Sequence, residues 1–76
     1  MKEQFLDQFK DQFMQTDINT ITYDTEFRTI GEWSSLLALC VIAMADENYS
    51  VKLTDQDMKV CKTVEDIYNL VSSRIN

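Results

Sequence analysis

The chain has 76 residues, with one glycine, no proline, no histidine and a net charge of −6. This length predicts one domain, spanning residues 1–76, with a small core, and 45% apolar residues argue against disorder. The acidic balance argues against binding to nucleic acid or to anionic membrane surfaces, because both need a basic face. With few residues that favour turns, the composition favours long helices.

Sequence features of several functional classes are missing. Cys40 and Cys61 do not form a metal-ligand pattern, so we expect no metal site and two free thiols. The chain has no glycine-rich phosphate loop, histidine dyad or nucleophile elbow, so we do not expect an enzyme. The first fourteen residues are too charged for a targeting segment, and the apolar run of residues 36–45 is too short to span a bilayer. These features predict a cytoplasmic protein that does not insert into membranes.

Residues 2–14 are predicted to form an amphipathic helix. Phe5, Phe9 and Phe13 are four residues apart, which places them on one face of a helix together with Leu6. We expect this stripe to lie in the core.

The helical period is lost in residues 15–33, which are polar and β-branched. A loop of this length inside a compact domain is usually functional or disordered. A short helical turn is predicted from Asp24 or Thr25 to Phe27. The apolar residues favour an ordered loop that is anchored on the core at Ile18, Ile21, Tyr23, Phe27 and Ile30.

The second helix is predicted from Ser35 to Asp46 or Glu47, before a break at residues 48–50. It is apolar nearly all round. The helical spacing typical of a buried face is matched by Leu36, Leu39, Cys40, Ala43 and Met44. Leu37, Val41 and Ala45 lie off that face, so the pattern fits either full burial or an apolar surface for a partner.

Two capping signals follow. Thr54 with Asp57 predicts a short helix over residues 55–60 with Met58 turned inward, and Thr63 with Asp66 predicts a last helix. The apolar spacing of that last helix is set by Val64, Ile67, Tyr68, Val71 and Ile75. The fold class is therefore all-α: a small four-helix bundle with three main helices, one short helix and a long first loop. Its predicted core contains Phe5, Phe9, Phe13, Leu36, Leu39, Ala43, Val64, Ile67 and Val71.

The candidate functional residue is Ser35, where the loop meets the second helix. A serine at a helix start can cap free N–H groups. The same position suits a phosphate on the serine, because the free N–H groups and the helix dipole favour an anion. Ser34 or Ser35 could be only a cap, and the local sequence leaves both readings open.

Three stretches form a combination with these spacings: residues 33–36 (Trp-Ser-Ser-Leu), 53–55 (Leu-Thr-Asp) and 62–67 (Lys-Thr-Val-Glu-Asp-Ile). Through them, and over essentially its whole length, the chain resembles an acyl carrier protein. The family's attachment motif is usually Asp-Ser-Leu, and its serine and leucine match Ser35 and Leu36. The resemblance implies that Ser35 carries 4′-phosphopantetheine, derived from coenzyme A. Ser34 departs from the motif, because it stands where the family usually has aspartate.

The resemblance also implies function and partners. A carrier protein is no enzyme; it holds acyl or aminoacyl intermediates as thioesters for fatty-acid, polyketide or related specialised biosynthesis. The implied partners of this monomer are a phosphopantetheinyl transferase and acyl-loading and acyl-transfer enzymes. The predicted partner surface comprises Leu36, Leu37, Val41, Met44, Asp46, Glu47, Asp55 and Asp57.

A second departure concerns that surface. Leu37 and Cys40 stand where the family often has acidic residues, which favours a dedicated set of enzymes. The alternative function is a helical protein-interaction module of the same fold that is never modified, with Ser35 as a cap only.

Overall fold

The computed structural model describes residues 1–75, which contain four α-helices and no strand. In chain order these are α1 (Lys2–Lys10), α2 (Ser35–Tyr49), α3 (Asp55–Val60) and α4 (Val64–Arg74). The connection from α1 to α2 contains two 3-10 turns, Ile18–Thr20 and Phe27–Thr29. The prediction of a small helical bundle with three longer helices and one short helix is confirmed. None of the helices in residues 1–75 combines the length and the apolar character needed to cross a membrane.

The core forms where α1 contacts α2 and α4. The phenylalanine stripe of α1 is buried as predicted, with Phe5 and Phe9 fully covered and Phe13 7% exposed. α1 ends earlier than predicted, at Lys10, but Phe13 stays in the core because hydrogen-bonded turns continue the chain past the helix end. Val64, Ile67 and Val71 of α4 are also buried, as predicted; the whole core consists of apolar side chains.

The connection between α1 and α2 is ordered on the core. Ile21 and Phe27 are buried, and Tyr23 and Ile30 are half-buried, whereas Ile18 is exposed. The helical turn predicted to start at Asp24 or Thr25 is wrong; the 3-10 turn begins at Phe27.

The backbone explains that difference. The carbonyl groups of Tyr23 and Thr25 accept the N–H groups of Glu65 (3.0 Å) and Val64 (3.1 Å), in the first turn of α4. These bonds satisfy donors that a helix start leaves without partners, and they hold the segment out of a helix.

One carboxylate joins the two ends of the connection. Glu32 accepts hydrogen bonds from the N–H groups of Met14 (2.8 Å), Gln15 (3.0 Å) and Thr16 (2.9 Å), and from the Thr16 hydroxyl (2.7 Å). These donors stabilise the charged form and lower the pKa of Glu32 to about 2. Glu32 thereby holds the chain in place just before α2 begins.

Helix α2 is rotated relative to the prediction. Its buried residues are Leu37, Val41, Met44 and Ala45, while Leu36 is 70% exposed and Leu39 57% exposed. The assignment of Leu36, Leu39 and Ala43 to the core is therefore wrong, because all three side chains face solvent. Both sets of residues have helical spacing, and the packing of neighbouring elements selects between them.

The starts of α3 and α4 follow the predicted signals, whereas the predicted end of α2 is wrong. α2 continues to Tyr49, beyond the predicted end, and Ser50 then adopts a left-handed conformation with φ 57°. Complete capping boxes open α3, through Thr54 and Asp57, and α4, through Thr63 and Asp66. Both predictions of helix starts are confirmed.

Candidate functional site

The two serines at the start of α2 have different roles. Ser34 is the N-cap: its backbone is extended and its Oγ accepts the N–H of Leu37 at 3.3 Å. Ser35 is the first helical residue, its side chain is exposed, and its hydroxyl makes no hydrogen bond to any of residues 1–75. The capping role therefore falls to Ser34, and the Ser35 hydroxyl is accessible from solvent.

The first turn of α2 contains no acidic residue, whereas that of α4 contains Glu65 and Asp66. In α4 a carboxylate already occupies the helix start, since Asp66 accepts the N–H of Thr63 at 3.0 Å. At the start of α2 only the uncharged Ser34 hydroxyl accepts an N–H group of the first turn. A phosphate on Ser35 would meet no like charge in that turn.

Trp33 anchors this junction to the core. Its ring centroid lies 4.7 Å from that of Phe27 and 6.2–6.3 Å from those of Phe13 and Phe9. The Trp33 N–H also donates to the Ile30 carbonyl at 2.9 Å, which closes a turn immediately before α2. The aromatic contacts and the turn together fix where the helix starts.

A cavity of about 440 Å³ lies beside Ser35, between the start of α2, the second 3-10 turn and α3. This volume is within the range of small-molecule sites. Its apolar lining consists of Phe27, Trp33, Ala38, Leu39 and Met58. Its polar lining consists of Arg28, Ser34, Ser35, Asp55 and Lys59. We call this cavity the Ser35 pocket.

Arg28 connects two walls of the Ser35 pocket. Its guanidinium donates to the carbonyl of Cys61 at 2.8 Å and to that of Met58, at the C-terminal end of α3. The guanidinium also lies 4.9 Å from the centre of the Phe27 ring. Arg28 thus satisfies carbonyls that a helix end leaves without partners, and ties α3 to the preceding connection.

Among the apolar residues predicted to form a partner surface, only Leu36 is exposed. Leu37, Val41 and Met44 are 7%, 0% and 4% exposed, so placing them on a docking surface is wrong. They are the core face of α2. Sequence reasoning missed Leu39, which lines the Ser35 pocket and follows Leu36 by one helical turn. A spacing of three residues between two leucines was the available signal, but it also fitted a buried face.

The four predicted acidic residues have separate positions. Asp46 pairs with Lys52 at 3.2 Å, Glu47 is exposed and Asp55 lines the Ser35 pocket. Asp57 is held by Arg74, with oxygen–nitrogen distances of 2.6 and 2.9 Å. Its hydrogen bonds from Arg74 and Thr54 keep the pKa of that carboxyl well below its usual range. Asp57 therefore stabilises the contact between α3 and α4.

Cysteine and carboxylate side chains form no metal centre in the part of the chain that the structure describes. No cluster of three or more potential ligands occurs among residues 1–75. Cys40 and Cys61 are free thiols. Burial raises the pKa of the Cys61 thiol, which lies in the core.

Comparisons of the chain with protein-family models, with curated proteins and with solved structures find no match.

Proposed function

We propose that the chain is an acyl carrier protein whose Ser35 carries 4′-phosphopantetheine. The observation that carries the proposal is the contrast between two adjacent serines. Both serines are exposed, but the Ser34 Oγ accepts a first-turn N–H as the cap, whereas the Ser35 hydroxyl makes no hydrogen bond to residues 1–75. A modifying enzyme can therefore reach the Ser35 hydroxyl without removing the cap of α2.

The departure at Ser34 is compatible with this proposal. Aspartate, usual before the attachment serine in the family, and serine are both strong N-cap residues, because each presents a side-chain oxygen to the first-turn N–H groups. Ser34 uses its oxygen in this way towards Leu37. The substitution preserves the cap and removes one negative charge next to the incoming phosphate.

The Ser35 position suits the attached group. In the attachment step the Ser35 oxygen bonds to the phosphorus of the phosphopantetheine unit of coenzyme A, and adenosine 3′,5′-bisphosphate leaves. The hydroxyl proton passes to a base of the transferase. The resulting phosphodiester stands at the start of a 15-residue helix, where free N–H groups and the helix dipole favour an anion. The arm supplies a thiol that holds acyl or aminoacyl groups as thioesters.

The protein positions its cargo and performs no chemistry of its own. Leu36 and Leu39 present apolar surface beside Ser35, and exposed apolar surface of this kind is typical of interaction sites. A phosphopantetheinyl transferase and acyl-loading and acyl-transfer enzymes would bind there. We place the protein, as a cytoplasmic monomer, in fatty-acid, polyketide or related specialised biosynthesis.

The proposal is tested by intact mass after incubation with coenzyme A and a broad-specificity phosphopantetheinyl transferase. The wild-type chain is expected to gain one phosphopantetheine group and Ser35→Ala none. Ser34→Ala is the matched control: it is expected to remain modifiable, since its neighbouring hydroxyl is intact. Circular dichroism of each variant checks that the helices are retained.

Two results would contradict the proposal. If Ser34→Ala blocks attachment and Ser35→Ala does not, the modified residue is Ser34. If the wild-type chain gains no mass, the exposed Leu36 and Leu39 favour the second candidate, an unmodified helical interaction module.

A further inference from the structure

The basic side chains are unevenly paired. Four of the seven form ion pairs: Lys2 with Glu65, Lys52 with Asp46, Lys62 with Glu26 and Arg74 with Asp57. Within residues 1–75, the other three, Lys10, Arg28 and Lys59, have no side-chain carboxylate within 4.0 Å. Two of these three, Arg28 and Lys59, line the Ser35 pocket.

The charge of Arg28 is held in place without being neutralised. Its two hydrogen bonds go to the uncharged carbonyls of Met58 and Cys61. A guanidinium has five N–H donors, so three remain for another acceptor. Asp55 is the only carboxylate among the pocket residues, which leaves two positive charges against one negative charge. A chain with a net charge of −6 thus has a locally positive pocket beside its exposed serine.

Apart from Ser34 and Ser35, the remaining lining is apolar. Leu39 is exposed and Trp33 and Ala38 are half-buried, so these three provide surface for carbon atoms, with the buried Phe27 and Met58 behind them. Arg28 and Lys59 provide charge for an anion. A ligand that matches both features has a short apolar part and a negative group. If Ser35 carries an arm, the arm or its cargo would bring a negative group next to the pocket.

Building on the proposed carrier function, we propose that the Ser35 pocket binds an anionic group of the loaded arm, held by Arg28 and Lys59. Two sources have this chemistry: a terminal carboxylate on a short acyl cargo, and the phosphodiester that joins the arm to Ser35. Both present oxygen acceptors to a guanidinium and an ammonium group. The pocket would then select loaded arms by charge as well as by size.

Trp33 provides the readout, because it is the single tryptophan of the chain and lines the pocket. The protein is loaded from coenzyme A, butyryl-CoA or succinyl-CoA, and intact mass confirms each product. The two acyl groups have the same number of carbons and differ in the terminal carboxylate. Trp33 emission is compared among the unmodified, arm-only, butyryl and succinyl forms at low and high salt.

Lys59→Gln removes one positive charge from an exposed position, and Lys10→Gln is the matched control outside the pocket. Both substitutions replace a lysine without a carboxylate partner within residues 1–75. In the wild-type chain, we expect Trp33 emission to change when the bound anion is introduced, either with the arm itself or with the succinyl group. Lys59→Gln should lose most of that change in emission, and Lys10→Gln should keep it. High salt should weaken the change in the wild-type chain, because it screens charges at an open pocket.

The outcomes separate the two sources and the two proposals. If a change in Trp33 emission depends on Lys59 and appears only with the succinyl group, the bound anion is the terminal carboxylate. If that change already appears when the arm alone is attached, the bound anion is the phosphodiester. Equal emission in all forms after confirmed loading, or a change that survives in Lys59→Gln, overturns the pocket inference and leaves the carrier function intact. A wild-type chain that gains no mass overturns both.

Discussion

Helices α2 and α4 both contact α1, yet they present different surfaces to solvent. α4 buries Val64, Ile67 and Val71 and exposes polar residues on its other side. α2 buries one apolar face and exposes a second, which includes Leu36 and Leu39. The second apolar face contributes little to the core, and it adjoins Ser35 and its pocket. α4 thus has a structural role, whereas α2 combines a structural face with a surface suited to binding.

The largest effect is expected from the two faces of α2. Leu37→Ala should lower the free energy of unfolding by about 2–5 kcal/mol, because it leaves a cavity in the core. Leu36→Ala, one residue away and 70% exposed, should change it by less than about 0.5 kcal/mol. Ile67→Ala in α4 should lower the free energy of unfolding by a similar amount to Leu37→Ala. Urea denaturation of the three variants measures the effects.

Equal losses for Leu36→Ala and Leu37→Ala would contradict the assignment of the faces. The comparison also applies to binding. Leu36→Ala is expected to leave the fold intact, so a loss of affinity for the proposed transferase partner would place Leu36 on the docking surface.

The helix caps should give a smaller effect. Ser34→Ala in α2 and Thr63→Ala in α4 should each lower the free energy of unfolding by about 0.5–2 kcal/mol, since each removes the hydroxyl that accepts a first-turn N–H. Ser35→Ala should leave the stability nearly unchanged, because its hydroxyl makes no hydrogen bond to residues 1–75. Thermal or urea unfolding measures the three values. A loss for Ser35→Ala equal to that for Ser34→Ala would show that Ser35 shares the capping role.

The smallest effect concerns the segments that lead into the two helices, and it depends on pH. Hydrogen bonds lower the pKa of Glu32 before α2 from 4.5 to about 2, and they also lower the pKa of Asp66 in α4. A lowered pKa means that the carboxylate stabilises the folded state fully above its ordinary value, and that this contribution disappears as the pH falls through the lowered value.

Glu32→Gln should therefore be less stable than the wild-type chain at neutral pH. The difference in free energy of unfolding between the two should become smaller as the pH falls from 4.5 towards about 2. Asp66→Asn should behave similarly in α4. Urea midpoints measured across this pH range test both variants. A gap for Glu32→Gln that is independent of pH would show that its carboxylate does not need its charge to hold residues 14–16.

Local polar signals were enough to predict much of the fold. Thr54 with Asp57 and Thr63 with Asp66 marked two helix starts, and the phenylalanine stripe marked the buried face of α1. In α4, polar residues between the apolar ones define which side faces water. Residues 36–45 offer no such contrast, so neighbouring elements decide the rotation of α2 and the sequence pattern selected the wrong face.

The candidate site could be predicted only where a local signal marked it. The serine pair pointed to the junction, but only the structure shows that Ser34 is the cap and that the Ser35 hydroxyl makes no hydrogen bond to residues 1–75. The Ser35 pocket depends on residues distant in sequence, such as Arg28 and Lys59, that packing brings to one cavity. No local sequence pattern predicts that these residues line the same cavity.

Helix α3 has only six residues, and a helix of that length does not persist by itself in water. Its two ends are fastened from distant parts of the chain: Arg28 holds the carbonyls of its last turn, and Arg74 holds Asp57 in its first. Local opening of α3 must break contacts with the α1–α2 connection or with α4, so the helix cannot fray independently of them. The wall of the Ser35 pocket that α3 provides is therefore held by the same contacts that join the bundle, and we expect the pocket to keep its shape whether it is empty or filled.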